Sequence, residues 1–337
     1  MSLYCGIDLH SNNSVVSIID KHDRVINEKR LTNDMDTIVT FLEPYQQDIT
    51  GVVVESTYNW YWLVDGLMER GYPLHLANTL AIQQYNGIKH TNDYTDARYL
   101  AHLLRLGILP TGFIYPKENR VVRDLLRRRL LLVKQKTAQL LSLQSTINRH
   151  TGIGLSSSKI KQLTPDTLGS YFPDSSMQFA ALQHLRLLKQ FEQQIHDIES
   201  FVLSKCNKDA YELITSTPGI GHILGMTILL ETGPIERFDK VGNYSSYARC
   251  VPTNKISNGK IKGYGNSKNG NRYLAMAFVE AAHYATIWHA DIKAYYQRKC
   301  KKVPIMVAKK AIANKLTRAC YHMLKTNTPF NAKLAFG

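Results

Sequence analysis

Short apolar runs separated by polar turns open the chain. Leu3 to Asp8 is apolar and ends on an acid, His10-Ser11-Asn12-Asn13 is a polar turn, and Ser14 to Ile19 is apolar again. Lys21-His22-Asp23 makes a second turn into Arg24 to Leu31. Runs this short, punctuated this closely, predict three strands in an antiparallel meander. The pattern then alternates. A helix is expected over Asp34 to Leu42, a buried strand over Gly51 to Glu55, a helix over Tyr58 to Arg70, a strand over Pro73 to Ala77 and a helix over Asp93 to Leu106. Strands alternating with helices imply a sheet covered by helices.

A three-strand meander, then a helix, then a strand is the order of the ribonuclease-H-like fold. Residues 1–114 are expected to form such an α/β domain. The period changes beyond them. Leu126, Leu130, Val133, Thr137 and Leu140 begin a stripe that runs to Ile147 at alternating spacings of four and three, and Leu188, Phe191, Ile195, Ile198 and Val202 form another. Two heptad-like stripes joined by a Ser/Gly/Pro-rich stretch from Thr151 to Ser176 predict two long helices packed as a coiled-coil arm over 115–206. A third, mainly helical domain is expected over 207–337. It holds a Pro218-Gly219-Ile220-Gly221 turn and a Lys/Gly/Asn/Ser-rich loop from Thr253 to Asn271.

Charge narrows the function. The 337 residues carry 42 Lys+Arg against 27 Asp+Glu, a net charge of +15, which favours a polyanionic partner. The excess is concentrated on the first arm helix, at Arg123, Arg127, Arg128 and Arg129. Arg127 and Arg129 have no acid three or four residues on, so the run reads as unpaired charge aimed at backbone phosphate. Lys255, Lys260, Lys262, Lys268 and Arg272, interleaved with Tyr264 and Tyr273, make a second nucleic-acid surface. The Pro-Gly-Ile-Gly turn either presents backbone N–H groups to a phosphate or is a plain tight turn. Five scattered cysteines without a C-x-x-C pair argue against a disulfide framework. Without a signal-peptide pattern at the N-terminus, the expected setting is a reducing cytosol, at the nucleoid.

Four acids carry the candidate chemistry. Asp8 ends the first strand and Glu55 the later one, and those strands are neighbours in the expected sheet. Asp93 and Asp96 are three residues apart, which puts both on one helix face. Asp93 in isolation also suits a helix N-cap. Converging carboxylates repel unless cations neutralise them. Hard oxygen ligands suit Mg²⁺ or Mn²⁺, and such ions support in-line phosphoryl transfer.

The order Asp8 in GIDLH, Glu55 in VVVEST, then Asp93 and Asp96 in NDYTDA resembles the DEDD insertion-sequence transposases, the family that includes the Piv-type DNA invertases. The resemblance continues through ENRVVRDLLRRR, TPGIGHILGMTILLE and GNSKNGNRYLAMAFVEAA. It departs at Thr91-Asn92, where many members carry Lys-Thr, and at Ile256-Ser257-Asn258-Gly259, where Ser-Ser-Gly-Gly or Ser-Gly is usual. The resemblance implies a RuvC-like catalytic domain with a metal bound by Asp8, Glu55, Asp93 and Asp96, and a C-terminal domain with a serine nucleophile. Ser257 matches that serine best, with Ser267 the alternative. It also implies a homo-oligomer, dimer or tetramer, acting on element-end and target DNA under a structured guide RNA. Two other readings of the same residues are a RuvC-like junction nuclease that uses water in place of Ser257, and a non-catalytic nucleic-acid-binding protein.

Overall fold

The computed structural model describes residues 2–82, 92–266 and 268–337, in two units, Met1–Lys117 and Glu118–Gly337. In the first unit the meander is β1 (Leu3–Leu9), β2 (Asn13–Asp20) and β3 (Val25–Thr32). After it come α1 (Met35–Leu42), β4 (Ile49–Glu55), α2 (Tyr61–Glu69), β5 (Leu74–Ala77), α3 (Asp93–Arg105) and β6 (Thr111–Gly112). The strands form one sheet in the order β3-β2-β1-β4-β5-β6. The meander is antiparallel, β4 and β5 run parallel to β1, and β6 returns antiparallel. This is the mixed α/β sheet that the alternation predicts. The two-residue β6 is too short to carry a periodic signal. Asp34 caps α1, accepting from the Thr37 amide at 2.8 Å.

Both faces of the sheet are covered, and alternation along each strand assigns residues to them. On one face Cys5, Ile7, Val52 and Val54 pack with Ile38 and Leu42 of α1 and Leu63 and Leu67 of α2. On the other, Val53 packs with Leu100 of α3. Gly6 turns to the α3 face as well. A Cβ built there would stand 2.0 Å from the Ala97 carbonyl oxygen and 2.9 Å from the Ala101 amide nitrogen. Only glycine lets α3 approach β1 this closely.

The second unit begins with α4 (Lys117–Thr151), α5 (Ser157–Gln162), α6 (Pro165–Gly169) and α7 (Ser175–Lys205). Arg129 pairs with Glu199, Lys136 with Glu192, and Gln139 with His184, so α4 and α7 run antiparallel. Leu140, Leu143 and Ile147 pack with Leu185, Leu188 and the short connecting helices. Leu143, off the predicted stripe, is buried, and Thr137, on it, is exposed. A strict heptad drifts around a helix of 3.6 residues per turn.

The chain continues through α8 (Lys208–Thr215), α9 (His222–Thr232), α10 (Val241–Tyr247), β7 (Asn254–Ser257), β8 (Lys260–Tyr264), α11 (Arg272–Trp288), α12 (Ala290–Cys300), α13 (Ile305–Thr326) and α14 (Ala332–Phe336). These helices enclose a core centred on Tyr244, Phe278 and Leu316. Gly219, in the turn between α8 and α9, has φ +83°, and a Cβ there would meet Ala281 O at 2.2 Å. The turn therefore serves close packing against α11. The stretch expected as a loop holds the β7–β8 hairpin. Asn258 and Gly259 both have positive φ, 49° and 71°, as a type I′ turn demands. All five cysteines are free, and no described helix is long and apolar enough to cross a membrane.

Candidate active site

β1 and β4 pair in parallel with Ile7 opposite Val54. Asp8 and Glu55 therefore leave adjacent strands at the same edge. Both lie on the α3 face, two residues beyond Gly6 and Val53 respectively. Asp8 is only 5% exposed. Burial, and then a hydrogen bond with Asp8 and the fields of Asp8 and Asp96, push the Glu55 carboxyl up to about 7.

The other two acids come from the first turn of α3. Asn92 is its N-cap, accepting from the Thr95 amide at 3.0 Å while the Asn92 amide donates to Thr95 Oγ1 at 2.8 Å. Asp93 is therefore the first helical residue, which corrects its reading as a cap. Its side chain is left free to meet Arg30, whose Nη2 lies 2.5 Å from Asp93 Oδ2. Above all that bond, against partial burial and with help from His10, holds the Asp93 carboxyl below the usual range. Asp96 goes the other way. Burial, then the fields of Asp8 and Asp93, raise it. The four predicted acids thus form one electrostatically linked group.

Two members of the site were missed from the sequence. His10 Nε2 stands 3.4 Å from Asp8 Oδ2 and 3.3 Å from Asp93 Oδ2, bridging strand and helix. Its backbone carbonyl accepts from Asn33 Nδ2 at 2.9 Å and Asn59 Nδ2 at 3.0 Å, which fixes the loop. The signal was present: two residues from Asp8, His10 falls on the same face. Arg30 lies across β2 from Asp8, both opposite Val15. That row is visible only once the register is known.

The unpaired charge expected on the arm helix is corrected at three positions. Arg127 donates to both Glu231 oxygens, at 2.6 and 2.7 Å. Arg129 donates to Glu199 at 2.7 Å, and Arg123 to Asp124 at 3.2 Å. Glu199 and Glu231 come from α7 and α9, and a search one helical turn along α4 cannot find them. Arg128 is exposed, as are Lys255, Lys260, Lys262, Lys268 and Arg272. Ser257 ends β7 in the second unit, exposed, beside the Asn258-Gly259 turn. Ser267 and Thr91 lie outside the described residues.

Two family models match the chain. A transposase model of the DEDD, IS110 type covers residues 5–151, with all four acids. A model described as transposase, IS116/IS110/IS902 family, covers residues 211–297, with Ser257. The chain belongs to the DEDD transposase family of IS110-type insertion sequences. The transposase acts on DNA, cleaving and rejoining it. No protein of curated function matches the chain.

DEDD transposases typically use a divalent metal. The residues of this transposase fit one. Asp8, His10 and Asp93 each offer a ligand atom, and the three atoms lie within 4.8 Å of one another. Glu55 and Asp96 adjoin them through Asp8. Glu55 and Asp96, driven toward protonation first by burial and then by neighbouring carboxylates, are the electrostatic mark of a site that a cation would relax.

Proposed function

We propose that the transposase cuts and rejoins the strands of its element at a carboxylate–metal site, through a serine–DNA ester, with a structured RNA choosing the sequences. The observation that carries this reading is the Asp8–Glu55–Asp96 group, in which Glu55 rises to about 7 because of burial and its neighbours. Asp8, Glu55, Asp93 and Asp96 would hold Mg²⁺ or Mn²⁺, with His10 as a further donor. When bound, the ion supplies charge neutralisation for an in-line displacement at phosphorus.

The chain's own residues do the rest. Ser257 Oγ forms a bond to the scissile phosphorus, the bond to the leaving sugar oxygen breaks, and the serine proton passes by way of solvent to that oxygen, which leaves as a hydroxyl. The ester keeps the phosphodiester's energy, so a strand-end hydroxyl can attack it, rejoin the DNA and return the serine. Lys255 and Lys260 flank the charge that develops on the phosphoryl oxygens. Arg128, Lys262, Lys268 and Arg272 hold phosphates further along. Base pairing to a guide would leave the protein to read backbone and shape. The α4–α7 pair, as a coiled-coil arm, would bring protomers together, so that the acids of one complete the site of another's serine.

The test is a cleavage assay with labelled element-end DNA, RNA from the native locus and Mg²⁺, run on a denaturing gel with and without protease. A Mg²⁺-dependent protein–DNA adduct, lost in both Ser257→Ala and Asp8→Ala, is the expected result. Free ends that survive Ser257→Ala would replace the ester with hydrolysis by water.

A further inference from the structure

The β7–β8 hairpin has two unlike faces. Partners directly across an antiparallel pair share a face. Ile256 opposes Ile261 and Asn254 opposes Tyr264, whereas Ser257 opposes Lys260 and Lys255 opposes Gly263. A register shift between Lys255 and Ile256 leaves Lys262 without a cross-strand partner and puts Tyr264 on the face of Ile256 and Ile261, beside Asn254, while Ser257, Lys255 and Lys260 take the other face. Ile256, Ile261 and Tyr264 are 67%, 55% and 73% exposed. Lone two-stranded hairpins are marginal in water even without such a face. This one is held in shape by its type I′ turn and by the Gly265 amide bonded to Thr253 O at its base.

Charge names the occupant of that face. No Asp or Glu stands between Asp239 and Glu280, while Lys255, Lys260 and Lys262 lie in the ribbon and Lys268 and Arg272 just beyond it. Burial, and then the neighbouring Arg272, lower Arg249 below its ordinary value. A partner must therefore be polyanionic along its edges and apolar within. DNA has both features, in its phosphate rails and in the slot between stacked bases. The major groove admits a two-stranded ribbon. Isoleucine is among the side chains that wedge base steps apart, and tyrosine gives an unstacked base a platform.

We propose that the Ile256–Ile261–Tyr264 face is a wedge that enters a base step of the DNA and unstacks it, while the hairpin lysines grip the flanking phosphates. This deepens, and rests on, the reading of residues 253–272 as a DNA surface. Ser257 follows Ile256 directly but faces the other way, with Lys255 and Lys260, so the wedge would open the step while the serine stays on the ribbon's opposite face.

The test uses the full chain and a 30-base-pair duplex with 2-aminopurine at a central TA step, in EDTA so that no strand is cut. A second duplex carries a mismatch at the same step. Wild type should raise the 2-aminopurine fluorescence and bind the mismatched duplex about tenfold more tightly, because part of the unstacking is already done. Ile256→Thr/Ile261→Thr, which keeps β-branched residues in the strands, should bring that ratio near one and abolish the fluorescence rise, as should Tyr264→Ser for the stacked base. Lys255→Ala/Lys260→Ala/Lys262→Ala should weaken binding to both duplexes alike. If the lysine variant binds as wild type, the DNA-surface reading itself falls, and the wedge with it. If the lysine variant weakens but the isoleucine variant keeps the ratio and the fluorescence, only the wedge falls. If the isoleucine variant instead changes the mass of the protein in solution and leaves the DNA signals intact, the face belongs to a protein contact and the proposal is overturned.

Discussion

Gly6 of β1 lies against Ala97 of α3 so closely that any side chain at position 6 would collide with backbone. This contact sets how near α3 comes to the sheet, and therefore how near Asp93 and Asp96 come to Asp8. Gly6→Ala should push the helix away by the width of a methyl group. Overpacking of this kind costs about 1–3 kcal/mol. A misplacement of about 1 Å in a catalytic group costs on the order of a hundredfold in rate. Strand-cleavage rates and the melting temperature, measured together, should show a loss of activity well beyond the loss of folded protein.

Glu55 gives the metal-free protein a definite pH dependence. Its folded value of about 7 lies above its ordinary 4.5. Between those values the folded chain keeps a proton that the unfolded chain has released, so stability falls as pH rises through that window. In EDTA the melting temperature of the first unit should drop between pH 5 and pH 8. Glu55→Gln should remove that part of the slope and leave the metal-free protein more stable at pH 8. A slope unchanged by Glu55→Gln would show that the carboxyl is not the titrating group.

Mg²⁺ should reverse the same effect. Added at pH 8, it should raise the melting temperature of wild type by about 4 °C for each kcal/mol of binding, and do little for Asp8→Asn. His10→Ala should weaken the response if its Nε2 is a ligand. An undiminished response would leave His10 as a bridge between Asp8 and Asp93 only.

Arg127, Glu231 and Asn271 tie α4, α9 and the start of α11 together. Glu231 is 3% exposed and accepts both from Arg127 and from Asn271 Nδ2, the latter at 2.7 Å. Asn271 also caps α11, accepting from the Tyr273 and Leu274 amides. Arg127→Ala should leave a buried carboxylate short of its cation and cost about 3 kcal/mol by urea unfolding. Arg127→Met/Glu231→Leu should recover much of that loss, because no buried charge remains.

Asn258 and Gly259 should matter through backbone shape alone. Gly259→Val places a β-branched residue at φ 71°, where such residues are outliers. Formation of the serine–DNA adduct should fall at least tenfold while the Mg²⁺-dependent melting shift stays as in wild type. Equal loss of both would place the defect in folding.

Much of the first unit was legible because its strands are short apolar runs between polar turns, and its order of elements admits few sheets. The Asp93/Asp96 pair was legible because helical periodicity is local. The hairpin could have been found as well: Asn-Gly between β-branched residues is a strong short-range signal, and the polar composition around it obscured it. His10 needed only the two-residue alternation from Asp8. Arg30 could not have been found, because its distance to Asp93 depends on β3 pairing with β2 in one particular register.

The sequence by itself determined the alternation of strands and helices, the acids at strand ends and on one helix face, and the excess of positive charge. Each of these is written within a window of a few residues or in the composition. Tertiary structure decided which charges are spent. It gave Arg127 to Glu231 and Arg129 to Glu199, placed Arg30 and His10 against Asp93, and left the hairpin lysines in solvent. The physical reason is that a charge is neutralised by whatever lies within about 4 Å of it. Which groups lie that close is settled by how helices and strands pack, not by their spacing along the chain.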